Sequence, residues 1–272
     1  MEAIRFMKTL EPEKVAPFRF DGGPIGCLLI HGFMGLPCVM RELGEYLAER
    51  GISVLCKPLP GHSTTPEDMM RTTWYDWYNA CREDLADLSS LCDSVFLCGL
   101  SMGGTLSLHL AAHHAQEYKV AGVVTYGAPV HMKGPLLPLL PIAKKVVSFL
   151  KVPEKDVADP AGRDLARSYD RVPLACLSSL LELLAHVKHD LQDVRVPVLL
   201  MQSKNDHVVP PSDVHLIHAL VSSRDKTVIE VERSYHILPV DYDKRLVKEK
   251  TYEFIHRVAH SRGNCASQSV NT

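Results

Sequence analysis

The chain has 272 residues, of which 46% are hydrophobic and 23% charged, with a formal net charge of −2 and a pI near 6.7. That balance suits one large α/β domain rather than a basic nucleic-acid binder, and no long run of lysine and arginine offers a phosphate-binding surface. The most apolar stretch, 135–150, is broken by Pro138, Pro141, Lys144 and Lys145, so nothing reaches the roughly 18 apolar residues of a membrane span.

The first residues, Met1-Glu2-Ala3-Ile4-Arg5, lack the apolar centre of a signal peptide, and a cytoplasmic location with reduced thiols is expected. The eight cysteines are scattered and include no C-x-x-C pair. Cys27, Cys56 and Cys98 fall in or at the end of predicted strands, where a thiol serves as a small hydrophobe.

From residue 17 onward, apolar and β-branched runs alternate with helical patterns. Strands are predicted at 25–31, 52–55, 95–98, 120–125, 196–202 and 227–231. Most of these runs are continuous, as expected for strands buried on both faces of a parallel sheet. Between them, Val39, Leu43 and Leu47 mark a helix face ahead of Gly51, a C-terminal cap. Trp74, Trp77, Cys81, Leu85 and Leu88 mark a second helix, and the two tryptophans are read as core packing rather than a ligand platform. Val247, Thr251, Phe254 and Val258 mark the last. The alternation predicts a doubly wound, mostly parallel α/β sheet formed by 17–130 and 195–260. Residues 131–194 break it, with no clear strand and with Leu177, Leu180, Leu181 and Leu184 on one helix face. They are expected to form a helical cap inserted before the strand that carries the acid. Residues 1–16 and 261–272 are expected to be flexible ends.

Directly after the strand at 95–98 the chain reads Cys98-Gly99-Leu100-Ser101-Met102-Gly103-Gly104. G-x-S-x-G at a strand-to-helix turn is the pattern of a nucleophile elbow, and it points to acyl transfer through Ser101. The five-residue pattern alone is weak, since about one chain in ten of this length carries it by chance at average glycine and serine usage. Its setting decides. In open α/β sheets, sites form at the carboxyl ends of strands. Asp206 stands in the turn after 196–202, whereas Asp190 and Asp193 precede that strand and Asp213 belongs to the next helix. His236 follows the strand at 227–231 by a short turn. Of the other thirteen histidines, His109, His113 and His114 lie on the helix after Ser101, and His207 adjoins Asp206 too closely to face it. His215, His218, His256 and His260 lie on or past later helices. The order Ser101, Asp206, His236 is that of a Ser-Asp-His triad.

Two oxyanion donors are expected. One is the backbone N–H of Met102, at a helix N-terminus. The other is that of Phe33, in the His31-Gly32-Phe33-Met34-Gly35 loop after the first strong strand. His31 is read as structural. His109 and His113 sit four residues apart without the glutamate of H-E-x-x-H, and His186, His189 and Asp190 form a second loose group. Neither group is expected to bind metal.

With His31-Gly32-Phe33, the elbow, Asp206 and His236 assembled, and with Pro60-Gly61-His62 and Gly127-Ala128-Pro129 beside them, the chain resembles the bacterial carboxylesterase and monoacylglycerol lipase family of α/β-hydrolases. The likeness runs from about residue 17 to 258. It implies a small helical cap and hydrolysis of short- to medium-chain esters without metal or cofactor. Ser101, Asp206 and His236 match its triad, and Phe33 and Met102 its oxyanion donors. Tyr235 departs from the glycine that often precedes the histidine, and the prolines at 135, 138 and 141 are dense; both bear on substrate length. The expected partner is a small-molecule ester, and a monomer is expected. The leading expectation is a serine carboxylesterase whose activity rises with pH as His236 loses its proton. Alternatives are a monoacylglycerol lipase, with Leu136, Leu137, Leu139 and Leu140 on a long chain, a lactonase, thioesterase or carbon–carbon hydrolase using the same triad, and a ligand-binding homologue without turnover.

Overall fold

The structure, a computed structural model, describes residues 12–132, 137–152, 154–166 and 168–268. In chain order the strands are β1 (Phe18–Phe20), β2 (Ile25–Ile30), β3 (Ser53–Cys56), β4 (Ser94–Leu100), β5 (Val120–Tyr126), β6 (Phe149–Lys151), β7 (Arg171–Pro173), β8 (Val198–Ser203) and β9 (Lys226–Val231). The longer helices are α1 (Cys38–Ala48), α2 (Trp74–Leu91), α3 (Met102–His114), α4 (Leu174–Asp190), α5 (Ser212–Leu220) and α6 (Lys244–Gln268).

Seven of these strands form one sheet in the order β1-β3-β2-β4-β5-β8-β9, parallel throughout except for β1. This is the predicted α/β-hydrolase sheet. The continuous apolar runs have a direct cause, since side chains alternate between faces and each face has its own helical layer. Leu28, Ile30, Val95 and Leu97 pack with Trp77 and Leu85 of α2 and Leu106 of α3. Cys27, Leu29, Phe96 and Cys98 pack on the other side with Val39, Leu43 and Leu47 of α1 and Phe254 and Val258 of α6. Both tryptophans are packing residues, and Trp77 is fully buried with its indole N–H donating to Thr72 Oγ1 at 3.0 Å.

The structure adds to the sequence expectations at three places. β1, with the sequence Phe18-Arg19-Phe20, pairs antiparallel with β3 at the sheet edge. Within 131–194, where no strand was expected, β6 and β7 form a two-stranded antiparallel ribbon. Three residues per strand carry too little periodicity to register in a sequence pattern. The last helix runs to Gln268, into the segment expected to be flexible, and residues 1–11 and 269–272 lie outside the described residues.

The parallel order positions the site. From β2 the chain moves outward to β3, then returns to lay β4 on the other side of β2. The carboxyl ends of β2 and β4 thus flank the point where the strand order reverses, the place where open α/β sheets bind ligands. Trp77 supports this corner from below, its ring 5.6 Å from Phe33 and 5.7 Å from His62. Trp77→Ala is expected to cost about 3–5 kcal/mol, measured by chemical denaturation; a loss under about 1 kcal/mol would show that the corner does not rest on this ring.

Candidate active site

The elbow is built by close packing of backbone. A Cβ on Gly103 would lie 2.2 Å from the carbonyl oxygen of Ile30, and one on Gly99 would lie 2.2 Å from Gly103 backbone atoms. Strand β4 and the start of α3 therefore meet against the end of β2 at a distance only glycine allows. Ser101 between them adopts φ 52°, ψ −124°, a conformation that costs a non-glycine residue roughly 1–3 kcal/mol. It is held there by its N–H donating to Tyr126 O at 2.8 Å and by its carbonyl accepting from Gly104 N–H at 2.8 Å. Met102 follows as the first residue of α3, where backbone N–H groups have no intrahelical acceptor.

The loop after β2 is fixed by His31. Leu59 N–H donates to its Nε2 at 3.0 Å, so the proton sits on Nδ1, which lies 2.9 Å from Gly32 O. Burial lowers the His31 pKa to about 4, consistent with a neutral ring that orders the loop. His62 is lowered to about 3, first by burial and then by the neighbouring His31.

Asp206 and His236 are in contact: His236 Nδ1 donates to Asp206 Oδ2 at 2.8 Å. The Asp206 side chain is fully buried and that of His236 nearly so. Asp206 Oδ2 also accepts from Gln202 Nε2 at 2.8 Å, and Oδ1 accepts from the N–H groups of Val208 and Val209 at 2.9 and 2.8 Å. Burial alone would raise this carboxyl's pKa. The His236 bond and charge and the two backbone donors outweigh it and hold it below the ordinary aspartate value.

Gly32, Phe33, Leu100, Ser101 and His236 all line one cavity of about 220 Å³. Its far wall comes from the insertion, with Met132, Val152, Leu180 and Leu184 on the apolar side and Glu154, Lys155 and Asp156 on the polar side. Burial lowers Lys155 to about 8. Larger concavities, such as the one around Gln116 and Arg195, lie at the opposite end of α3, away from Ser101. Of the leucines considered for a long chain, Leu137, Leu139 and Leu140 do not line this cavity, Leu139 being exposed, and Leu136 lies outside the described residues. Tyr235 does not line it either; its ring packs on His207 at 4.7 Å.

Sequence reasoning missed Gln202, Asp156 and Asp241. Asp156 accepts from His236 N–H through its own backbone carbonyl at 3.1 Å and through Oδ2 at 3.2 Å, and it holds His207 Nδ1 at 2.7 Å. That bond ties the exposed His207 to Asp156. Asp241 gathers the N–H groups of Ala158, Asp159 and Tyr235, each at 2.8 Å. Asp213, set aside as a helix residue, is buried and accepts from Val130 N–H at 3.0 Å, closing the start of the insertion. No local pattern announces the bonds that Asp156 makes to His236, Asp241 to Ala158 and Asp213 to Val130, whose partners stand 80 to 83 residues apart.

A strained serine at a strand-to-helix turn, with a buried His–Asp pair on the same cavity, defines a serine hydrolase of the α/β-hydrolase fold. Comparison with known proteins gives the family: residues 26–243 match the serine aminopeptidase, S33, family of hydrolases, and the chain belongs to it. It is 37% identical over 238 residues to a thermostable monoacylglycerol lipase of Bacillus sp. (strain H-257), covering 88% of this chain and 93% of that protein. It is 28% identical over 253 residues to a carboxylesterase of Bacillus subtilis (strain 168), covering 93% and 99%. Among solved structures it is similar to one of LipS and LipT, two metagenome-derived lipolytic enzymes, with a TM-score of 0.85 and 32% identity over 90% of this chain and 98% of that one. With such relatives the chain is a carboxylic ester hydrolase. Among the described residues, no helix is long and apolar enough to cross a membrane.

The depressed pKa of Asp206 makes a stability prediction. A carboxylate held below its unfolded value, about 3.9, stabilises the fold fully above that pH and loses the contribution as pH falls through the folded value. Asp206→Asn is therefore expected to flatten the acid limb of a stability–pH curve measured by denaturant titration. An unchanged slope would mean that the carboxylate contributes no such linkage.

Proposed function

We propose that the chain is a serine carboxylesterase acting on short- to medium-chain esters through an acyl-Ser101 intermediate. The observation that carries this reading is the arrangement of one cavity: the strained Ser101 and the Asp206-bound His236 line it together, and its volume is small. At about 220 Å³ it falls below the roughly 300–1,000 Å³ of drug-sized ligand pockets, which favours a short or medium acyl group lying against Leu180 and Leu184.

In this reading His236 Nε2 takes the Ser101 proton as Oγ attacks the ester carbonyl, then returns it to the leaving alcohol. Asp206 fixes the Nδ1–H tautomer and stabilises the ring when it is charged. The N–H groups of Phe33 and Met102 donate to the developing oxyanion, each worth roughly 3 kcal/mol. Water then attacks the acyl-enzyme by the same route. No cofactor enters any step. A cytoplasmic location and a monomeric state, both expected from the sequence, are part of this proposal.

A second reading, a monoacylglycerol lipase, is favoured by the relative of that name at 37% identity. Glu154, Lys155 and Asp156 offer a polar wall for a glycerol headgroup.

Ser101→Ala is expected to lower ester hydrolysis at least about 1,000-fold and to abolish labelling by a fluorophosphonate probe. Full turnover by this variant would sink both readings. A series of nitrophenyl esters separates them: rates are expected to fall monotonically beyond medium chain length. A preference for long-chain monoacylglycerols over simple esters of the same acid would instead establish the lipase. A parallel assay with peptide anilides is expected to show no comparable cleavage.

A further inference from the structure

We propose that His109, His113 and Asp190 form a site for a divalent transition-metal ion of the zinc type, separate from the ester-hydrolysing cavity. The sequence presents these residues as two groups, a histidine pair on α3 and an acid far along the chain. The fold joins them. Asp190, the last residue of α4, is brought against the α3 face that carries the pair four residues apart. Its Oδ2 lies 2.9 Å from His109 Nδ1 and 3.1 Å from His113 Nε2, and the three ligand atoms all lie within 4.8 Å of one another.

These separations match a shared ion. In tetrahedral coordination with bonds of about 2.0–2.1 Å, ligand atoms stand about 3.3 Å apart. Two imidazoles and one carboxylate are a donor set suited to zinc and its neighbours rather than to calcium or magnesium. A second observation points the same way. The His109 side chain is only 9% exposed, and its Nδ1 is buried without a hydrogen-bond partner although Asp190 Oδ2 is so near. The approach is close enough for two ligands of one ion and misdirected for an N–H donor. A buried ring nitrogen left unpaired costs free energy, and a metal would satisfy it. His113 is 44% exposed and leaves the site open to solvent, with a way in for the ion and room for a water as fourth ligand.

The site lies far from Ser101: His109 is eight residues further along α3, about 12 Å at 1.5 Å per residue. Its effect would be mechanical. A bound ion would staple α3, which begins at the elbow, to α4, whose Leu180 and Leu184 wall the cavity.

The test uses the full chain, stripped with a chelator and titrated with zinc chloride by calorimetry and thermal unfolding. Expected are one saturable zinc per chain and a rise in Tm of about 5 °C at saturation. Both should weaken at least tenfold in affinity in His113→Ala and in Asp190→Asn, and remain in His256→Ala, which alters another histidine pair. Circular dichroism of the metal-free variants checks their folding; since His113 is half exposed, His113→Ala is expected to fold. Cobalt(II) in place of zinc should give tetrahedral d–d absorption that the same two variants lose. Absence of saturable zinc binding, or wild-type affinity in His113→Ala, would overturn the proposal and leave the 3.1 Å His113–Asp190 contact as an ordinary hydrogen bond.

Discussion

The approach of Gly103 to the carbonyl of Ile30 is the constraint on which the site depends. With no room for a Cβ between them, α3 starts directly against the end of β2, and the turn that joins β4 to α3 closes with Ser101 at positive φ. The strain is offset by the two bonds that hold the Ser101 backbone and by the fully buried α3 residues Leu106, Leu108 and Leu110 behind it. The same contact sets the loop after β2 beside the elbow. A Cβ on Gly32 would lie 3.2 Å from that of Ser101, so Phe33 is carried to the rim of the same cavity. One packing distance thus places the hydroxyl and both backbone donors proposed for the oxyanion.

The opposite side of the cavity is assembled by carboxylates acting on backbone N–H groups. Asp206 holds the turn after β8, Asp241 ties the loop of His236 to residues 158 and 159, and Asp213 anchors the chain as it leaves β5. Hydrogen bonds to ionised acceptors are stronger than neutral ones, and buried they fix loops that have little apolar surface of their own. At Asp206 the bound His236 and the backbone donors hold the carboxyl below the ordinary aspartate range and keep it ionised.

Much of this was legible in the sequence because the physics behind it is local. Leu28, Leu29 and Ile30 form one apolar run, buried on both faces, and it reads as a central strand without any partner in view. The elbow is a local pattern too, since Gly99 meets the backbone of its own turn at Gly103, although the demand on Gly103 itself comes from Ile30 of β2. Asp206 and His236 could be chosen because strand ends in a parallel sheet all point to one side, so position in the chain stands in for position in space. What escaped depends on distant pairing. Phe18-Arg19-Phe20 becomes a strand only because β3 lies beside it, and the ribbon of β6 and β7 only because Phe149 meets Pro173. Asp156 and Asp241 carry no signal at all, because an aspartate that binds N–H groups 80 residues away has the sequence neighbourhood of any surface acid.

Asp156 shows how the inserted segment and the imidazole are bound together. It belongs to the stretch between β6 and β7, lines the cavity, and accepts from the N–H of His236 through both its carbonyl and its side chain. The segment that shapes the space for an acyl or alcohol group is therefore also the seat of the ring proposed as base. A shift of this stretch to admit a larger ester would drag on the His236 backbone, and with it on the 2.8 Å bond to Asp206. Gln202 and the Val208 and Val209 N–H groups hold the other end of that bond to the sheet, so the His–Asp pair is stretched between a fixed core and an inserted wall. In such an arrangement substrate size and proton transfer are not independent variables. A wall that relaxes for a long chain gives up alignment at the imidazole, and a wall that holds alignment keeps the cavity small.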